Sequence, residues 1–160
     1  MRPTYISERN KIMKIALASD HAGYPLKHHL VGYLQQQGHE VIDLGVDTPD
    51  VSSDYPDAAE ALAQAIINGQ AERGILSCGS GVGASIAANK FPGIYAAICH
   101  DTYSAHQGVE HDNMNVLAIG ARVVGINVAQ ELVDAFLRAT FIGKDRYQRR
   151  FEKIQDFEQR

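Results

Sequence analysis

Gly74-Ile75-Leu76-Ser77-Cys78-Gly79-Ser80-Gly81-Val82-Gly83-Ala84-Ser85 is the stretch that decides the fold. Residues 74–78 read as a short buried strand, residues 79–83 as a glycine loop, and residues 84–90 as a helix. Strand, glycine loop and helix in that order make half of a βαβ unit, and the alternation continues on both sides. Upstream, residues 15–18 form a strand. Pro25 suits a first helical turn, and Leu26, Leu30, Val31 and Leu34 recur at helical spacing until Gly38 stops the helix. Residues 40–44 are a second strand, residues 45–56 a polar loop with two prolines, and residues 58–68 an alanine-rich helix closed by Gly69. Downstream lie a strand at 95–99, a helix at 101–109, a strand at 116–119 and a helix at 128–137. The charged tail from Arg146 onward is expected to be helical. This alternation predicts right-handed crossovers and a five-stranded parallel sheet covered on both faces, an α/β domain over residues 13–160. Residues 1–12 read as an N-terminal extension, a surface tail without chemistry.

Composition narrows the function classes. The chain has 160 residues, enough to bury a core without metal or disulfide support. A net charge of −4 argues against a nucleic-acid binder, which usually carries a basic patch. No apolar run approaches the length that spans a bilayer, and the polar N-terminus has no signal-peptide core. Two cysteines make no disulfide framework, and the seven histidines form no metal-ligand motif, so no metal is expected. A cytoplasmic enzyme or binding protein remains, with no nucleic-acid or membrane partner.

In a parallel α/β sheet, ligands bind beyond the carboxyl ends of the strands. After the first strand comes Ser19-Asp20-His21-Ala22-Gly23, an acid and an imidazole placed for ligand contact, unless Asp20 merely caps the helix. After the third comes Cys78 with Gly79, Gly81 and Gly83. These glycines let backbone N–H groups approach a phosphate or an oxyanion, and the neighbouring helix start favours a thiolate. The alternative is a tight turn beside an inert cysteine. Gly79-x-Gly81-x-x-Ala84 also fits a loose dinucleotide fingerprint with Asp101 as its acid, but that fingerprint normally follows a first strand. Cys99 has no glycine loop and reads as packing. His111-Asp112-Asn113-Met114-Asn115 reads as a site loop or a solvated turn. Arg122 follows the fifth strand. Arg146 and Arg150 share one face if the tail is helical and can hold a phosphate, or simply form a solvated face.

Together these residues resemble the ribose-5-phosphate isomerase B family, which includes the galactose-6-phosphate isomerase subunits. The resemblance runs from Met13 to the C-terminus. It rests on Ser19-Asp20-His21-Ala22-Gly23, Asp54-Tyr55-Pro56, Cys78-Gly79-Ser80-Gly81-Val82-Gly83, Ile86-Ala87-Ala88-Asn89-Lys90, Asn115-Val116-Leu117 and Gly120-Ala121-Arg122. It implies a Rossmann-like three-layer α/β/α sandwich and a metal-independent aldose–ketose isomerase without a cofactor. The implied reaction interconverts ribose 5-phosphate and ribulose 5-phosphate through a cis-enediolate. It further implies a homodimer or homotetramer with its site at the subunit interface. The family base is this cysteine or a glutamate a few residues on; Ala84 fills the glutamate position, which leaves Cys78. By resemblance the backbone at Gly79, Ser80, Gly81, Val82 and Gly83 binds the oxyanion, and Ser80 moves a proton between oxygens. His111 opens the furanose ring, while Asp20, His21 and Tyr55 position hydroxyls. Arg122, Arg146 and Arg150 bind phosphate.

Three places depart from the family pattern. Asp112 stands where an asparagine contacts substrate, replacing amide donors with a carboxylate. Arg146-Tyr147 stands for an arginine–histidine pair, and Gly143-Lys144-Asp145 replaces a Gly-Gly. The reaction type is unaffected. A tetrose or hexose phosphate stays open as the substrate, as does a non-catalytic sugar-phosphate or nucleotide-binding module.

Overall fold

Alternating apolar residues and proline-led helices produce the expected elements. The computed structural model describes residues 11–160. Apart from Lys11 and Ile12, the N-terminal extension therefore lies outside the described residues. In chain order the elements are β1 (Lys14–Ser19), α1 (Tyr24–Gln36), β2 (Glu40–Asp43), α2 (Tyr55–Ile67), β3 (Arg73–Cys78), α3 (Val82–Ala88), β4 (Ala96–Ile98), α4 (Thr102–Asp112), β5 (Val116–Gly120), α5 (Ile126–Arg138) and α6 (Asp145–Phe157).

All strand pairs are parallel, in the order β2-β1-β3-β5-β4. The chain starts at β1, steps outward to β2, then crosses to β3 on the other side of β1. Loops from β1 and β3 thus leave in opposite directions and open a crevice between their carboxyl ends.

Side chains alternate across the sheet, so each strand feeds two cores. Ile15, Leu17, Ile75, Leu117 and Ile119 pack with Leu30, Val109, Leu132 and Phe136 of α1, α4 and α5. Ala16, Ala18, Leu76, Cys78 and Val116 pack with Ala59, Leu62, Ala84 and Ala88 of α2 and α3. This is the α/β/α sandwich. Cys78 thus belongs to the α2–α3 face by strand alternation. The last helix, α6, docks through Phe151, which meets Tyr95 edge-on at 4.9 Å and Phe141 at 5.5 Å.

Most boundaries shift by a residue or two from the sequence reading, and three of the shifts bear on the site. The helix α2 begins at Tyr55 rather than 58, because Pro56 falls in its first turn. The helix α3 begins at Val82, inside the expected glycine loop. Most consequentially, α4 runs to Asp112 and ends on Asn113, whose φ of 54° is the left-handed turn that terminates helices. His111 and Asp112 therefore lie in a last helical turn and not in a loop. Among the described residues, no helix is long and apolar enough to cross a membrane.

Candidate active site

Because β1 and β3 are neighbours, with Ser19 opposite Ser77, their ends bring Asp20-His21 alongside Cys78-Gly79-Ser80. The approach is close enough to demand a glycine. A Cβ on Gly23 would lie 2.1 Å from the carbonyl oxygen of Ser77. Asp20, only 7% exposed, accepts the Gly23 N–H through Oδ1 at 2.9 Å, which ties down the turn into α1. It thus caps the turn, and its second oxygen has no protein partner among the described residues.

His21 is clamped to a distant loop. Its N–H donates to Ser53 Oγ at 2.9 Å, and its Nδ1 accepts the Ser53 N–H at 3.0 Å. With Nδ1 occupied as an acceptor, the neutral ring carries its proton on Nε2 and presents a donor. The other end of that loop is anchored by Lys27. This lysine is 2% exposed and its Nζ donates to the carbonyls of Leu44 and Val46, with Asp43 Oδ1 at 2.7 Å.

Cys78 is 4% exposed, and its sulfur accepts the Gly81 N–H at 3.1 Å. Gly81 has φ 84°, a conformation few L side chains adopt, and this aims its N–H back at the sulfur. The Val82 N–H is taken by Ser80 Oγ at 3.2 Å. Of the loop N–H groups read as an anion cradle, two are therefore already engaged. Those of Gly79, Ser80 and Gly83 have no protein partner among the described residues. Ala84 is fully buried, and its methyl group offers no base. Tyr55 lies over the loop: a Cβ on Gly83 would sit 2.4 Å from its ring. Arg122 reaches across from the end of β5. Its N–H donates to the Gly79 carbonyl at 3.0 Å, and its guanidinium lies over Gly79.

The other four residues singled out by the sequence are elsewhere. Asn115, just before β5, accepts the Gly74 N–H through its carbonyl, and Gly74 stands opposite Val116 at the amino end of the sheet. From Gly74 to Cys78 is four strand steps, about 13 Å. His111 and Asp112, in the turn before Asn115, are thus at the amino edge, and Cys78 is at the carboxyl edge. There His111 stacks on Tyr147 of α6, centroids 4.4 Å apart and planes 29° apart. Its Nδ1 is 2.8 Å from Gln107 Nε2. Arg146 donates to the Tyr147 hydroxyl at 3.0 Å, and Arg150 follows one turn later. Asp112 is exposed.

The structure therefore divides the candidates into two clusters. Asp20, His21, Tyr55, Cys78, Gly79, Ser80, Gly81, Val82, Gly83 and Arg122 meet at the carboxyl edge. His111, Asp112, Arg146 and Arg150 gather at the amino edge.

Several contributors escaped the sequence reading. Ser53 gives no local signal, because its partner is 32 residues away. His100, whose Nε2 accepts the Gly120 N–H at 2.9 Å, holds the end of β5. Gln107 was findable, since it stands four residues before His111 and a helix puts the two on one face. Burial, with a smaller contribution from Asp101, pushes the Cys99 thiol up to about 11, so it stays protonated at neutral pH and is no base. Asp101 itself caps α4, accepting the Ser104 N–H at 2.7 Å. This occupies the acid that a dinucleotide reading needs. Among the described residues, no three His, Cys, Asp or Glu side chains converge as metal ligands.

Comparison with known proteins fits this geometry. Ribose-5-phosphate isomerase B of Escherichia coli K12 is 48% identical over 147 residues, 92% of this chain and 97% of the relative. D-erythrulose-4-phosphate isomerase of Pectobacterium atrosepticum is 46% identical over 132 residues, covering 82% and 87%. A solved ribose-5-phosphate isomerase B of Clostridium thermocellum superposes with a TM-score of 0.89 at 46% identity, covering 92% and 98%. The model of the Ribose/Galactose Isomerase family matches residues 15–154. That span begins in β1 and ends in α6, taking in both clusters, and the chain belongs to the Ribose/Galactose Isomerase family.

Proposed function

We propose that this protein is an aldose–ketose isomerase that interconverts ribose 5-phosphate and ribulose 5-phosphate, with Cys78 as the base. The observation that carries this reading is the Cys78 sulfur, aimed at by the Gly81 N–H, beside free N–H groups and the Asp20-His21 pair in the crevice between β1 and β3. Cys78, as thiolate, removes the proton from C2 of the aldose. The resulting cis-enediolate takes that proton back at C1, and no group is lost. The N–H groups of Gly79, Ser80 and Gly83 hold the developing oxyanion, one such donor being worth about 3–4 kcal/mol. The Ser80 hydroxyl accepts from Val82, so its own proton is free to move between O1 and O2. His21 Nε2–H, Tyr55 and the second oxygen of Asp20 position hydroxyls, and Arg122 supplies positive charge.

The phosphate and the ring oxygen need His111, Asp112, Arg146 and Arg150, which stand at the far edge of the same sheet. A sugar phosphate cannot reach through the sheet. Two copies therefore complete the site, the amino-edge cluster of one facing the carboxyl-edge cluster of the other. A two-fold homodimer then has two such sites, and a homotetramer keeps both.

A four-carbon sugar phosphate is the second reading. It is favoured by the exposed carboxylate of Asp112 and by Tyr147 beside His111, together with the similarity to an enzyme named for erythrulose 4-phosphate. Comparison of kcat/KM for tetrose, pentose and hexose phosphates in deuterated water decides among these. The proposal expects the highest value for ribose 5-phosphate, with deuterium at the transferred carbon. A peak at the four-carbon sugar would replace the substrate, and binding without exchange would show a binding module.

A further inference from the structure

We infer that Gln107 and Tyr147 are positioning residues that hold the His111 imidazole in the Nε2–H tautomer with one ring face covered. The chemical use of that donor rests on the isomerase reading above; the tautomer does not. Gln107 stands one helical turn before His111, and its Nε2 is 2.8 Å from His111 Nδ1. An amide nitrogen only donates, so Nδ1 is the acceptor and the neutral ring keeps its proton on Nε2. Tyr147 covers the ring at 4.4 Å. It is itself held, because its hydroxyl accepts from Arg146 and the Arg146 guanidinium lies 5.0 Å from its ring centre. Three side chains from two helices thus fix both the plane and the proton of one imidazole. The helix α6 has a separate anchor in Phe151, which packs on Tyr95 and Phe141.

A ring held this way donates to a substrate oxygen and does not accept from one. Opening a furanose breaks the bond between C1 and the ring oxygen, and the electron pair stays on that oxygen. The C1 hydroxyl proton ends on the ring oxygen, and C1 becomes the carbonyl carbon. His111 Nε2–H stabilises the ring oxygen as the bond breaks and retains its own proton. Ribulose 5-phosphate needs no such help, because its 5-hydroxyl is esterified and it cannot close a five-membered ring.

The test combines spectroscopy with a split between substrates on the full-length protein. In ¹⁵N spectra of histidine-labelled protein above the imidazole titration, His111 is identified by its loss in His111→Gln. It is expected to show a protonated Nε2 and a bare Nδ1, and Gln107→Leu is expected to mix the tautomers. In Gln107→Leu and in Tyr147→Ala, ribose 5-phosphate turnover is expected to fall about tenfold, part of what a positioned hydrogen-bond donor contributes. Deuterium exchange into C1 of ribulose 5-phosphate should hold. Tyr147→Phe, which keeps the ring face, should restore most of what Tyr147→Ala loses. A protonated Nδ1 in the unaltered protein, or equal losses with both sugars, overturns the inference. Failure of the isomerase reading looks different: the unaltered protein would show no exchange with ribulose 5-phosphate at all.

Discussion

Mixing two inactive variants should restore activity if each site draws on two chains. Cys78 stands at the carboxyl edge of the sheet and His111 at the amino edge, and the four strand steps from Gly74 to Cys78 that separate those edges span about 13 Å. A hydrogen bond requires heavy atoms within about 3 Å, so one chain cannot place both groups on one sugar. Cys78→Ala should lose about a hundredfold or more in kcat, as a proton-transfer group does, and His111→Ala about as much with ribose 5-phosphate, because the donor to the leaving ring oxygen is gone. When the two are unfolded together in equal amounts and refolded, random pairing makes about half of the dimers mixed. Each mixed dimer has one site with both lesions and one with neither. Activity should therefore rise to about one quarter of the unaltered level, a consequence of the two-fold arrangement. The assay is ribulose 5-phosphate formation across a series of mixing ratios, with its maximum at equal amounts. Cys78→Ala mixed with Asp20→Ala is the control. Both lesions belong to the carboxyl-edge cluster, every mixed site keeps one of them, and no recovery should follow. Activity no greater than the sum of the separate variants would refute the shared site, as would equal recovery in the control.

Other expectations concern single positions. Cys99→Ala should leave turnover intact while Cys78→Ala abolishes it, because the Cys99 thiol, pushed up to about 11, is not deprotonated at neutral pH; parallel loss in both would sink the assignment of the base. Arg150→Ala should raise KM for phosphorylated sugars about tenfold, the scale of one hydrogen bond to a charged group, and leave any turnover of free sugars unchanged. A uniform change would mark the arginine as structural. Burial holds the His39 imidazole below its ordinary value near 6.5, so the folded chain favours the neutral ring, whose Nδ1 accepts the Met13 N–H at 3.2 Å. The unfolded chain takes up the proton first as pH falls. This contribution is therefore complete above about pH 6.5 and is lost as pH drops through the lowered native value. Tm measured against pH should decline less steeply below 6.5 in His39→Gln; an unchanged slope would remove this account.

The strands, helices and glycine loop were legible because their signals are local. Apolar runs such as Ile15-Ala16-Leu17-Ala18, the prolines at 25 and 56 and the glycines at 38 and 69 each act within a few residues. The carboxyl-edge cluster was legible for a related reason. In a parallel sheet every strand end faces the same way, so Asp20, Cys78 and Arg122 must share an edge once the strands are known. The sequence order of β1 and β3 did not show that they are neighbours, but strand direction alone was enough to group the residues.

His111 shows where that reasoning stops. The residues 111–115 are polar and precede a strand, and a strand start lies at the opposite edge from a strand end. Where α4 stopped decided whether His111 was helix or loop, and the left-handed Asn113 cap set that boundary. The clamps on the chemistry were less accessible still. Ser53 on His21, Lys27 on the loop carbonyls and Tyr147 on His111 join segments far apart in sequence, and no periodicity marks such pairs. By itself the sequence determined the elements, the sheet's direction and which residues gather at its carboxyl edge, since backbone preference and side-chain alternation are short-range. Only the tertiary structure decided which candidate residues meet, because that depends on the paths of helices returning across the sheet and on contacts between distant segments.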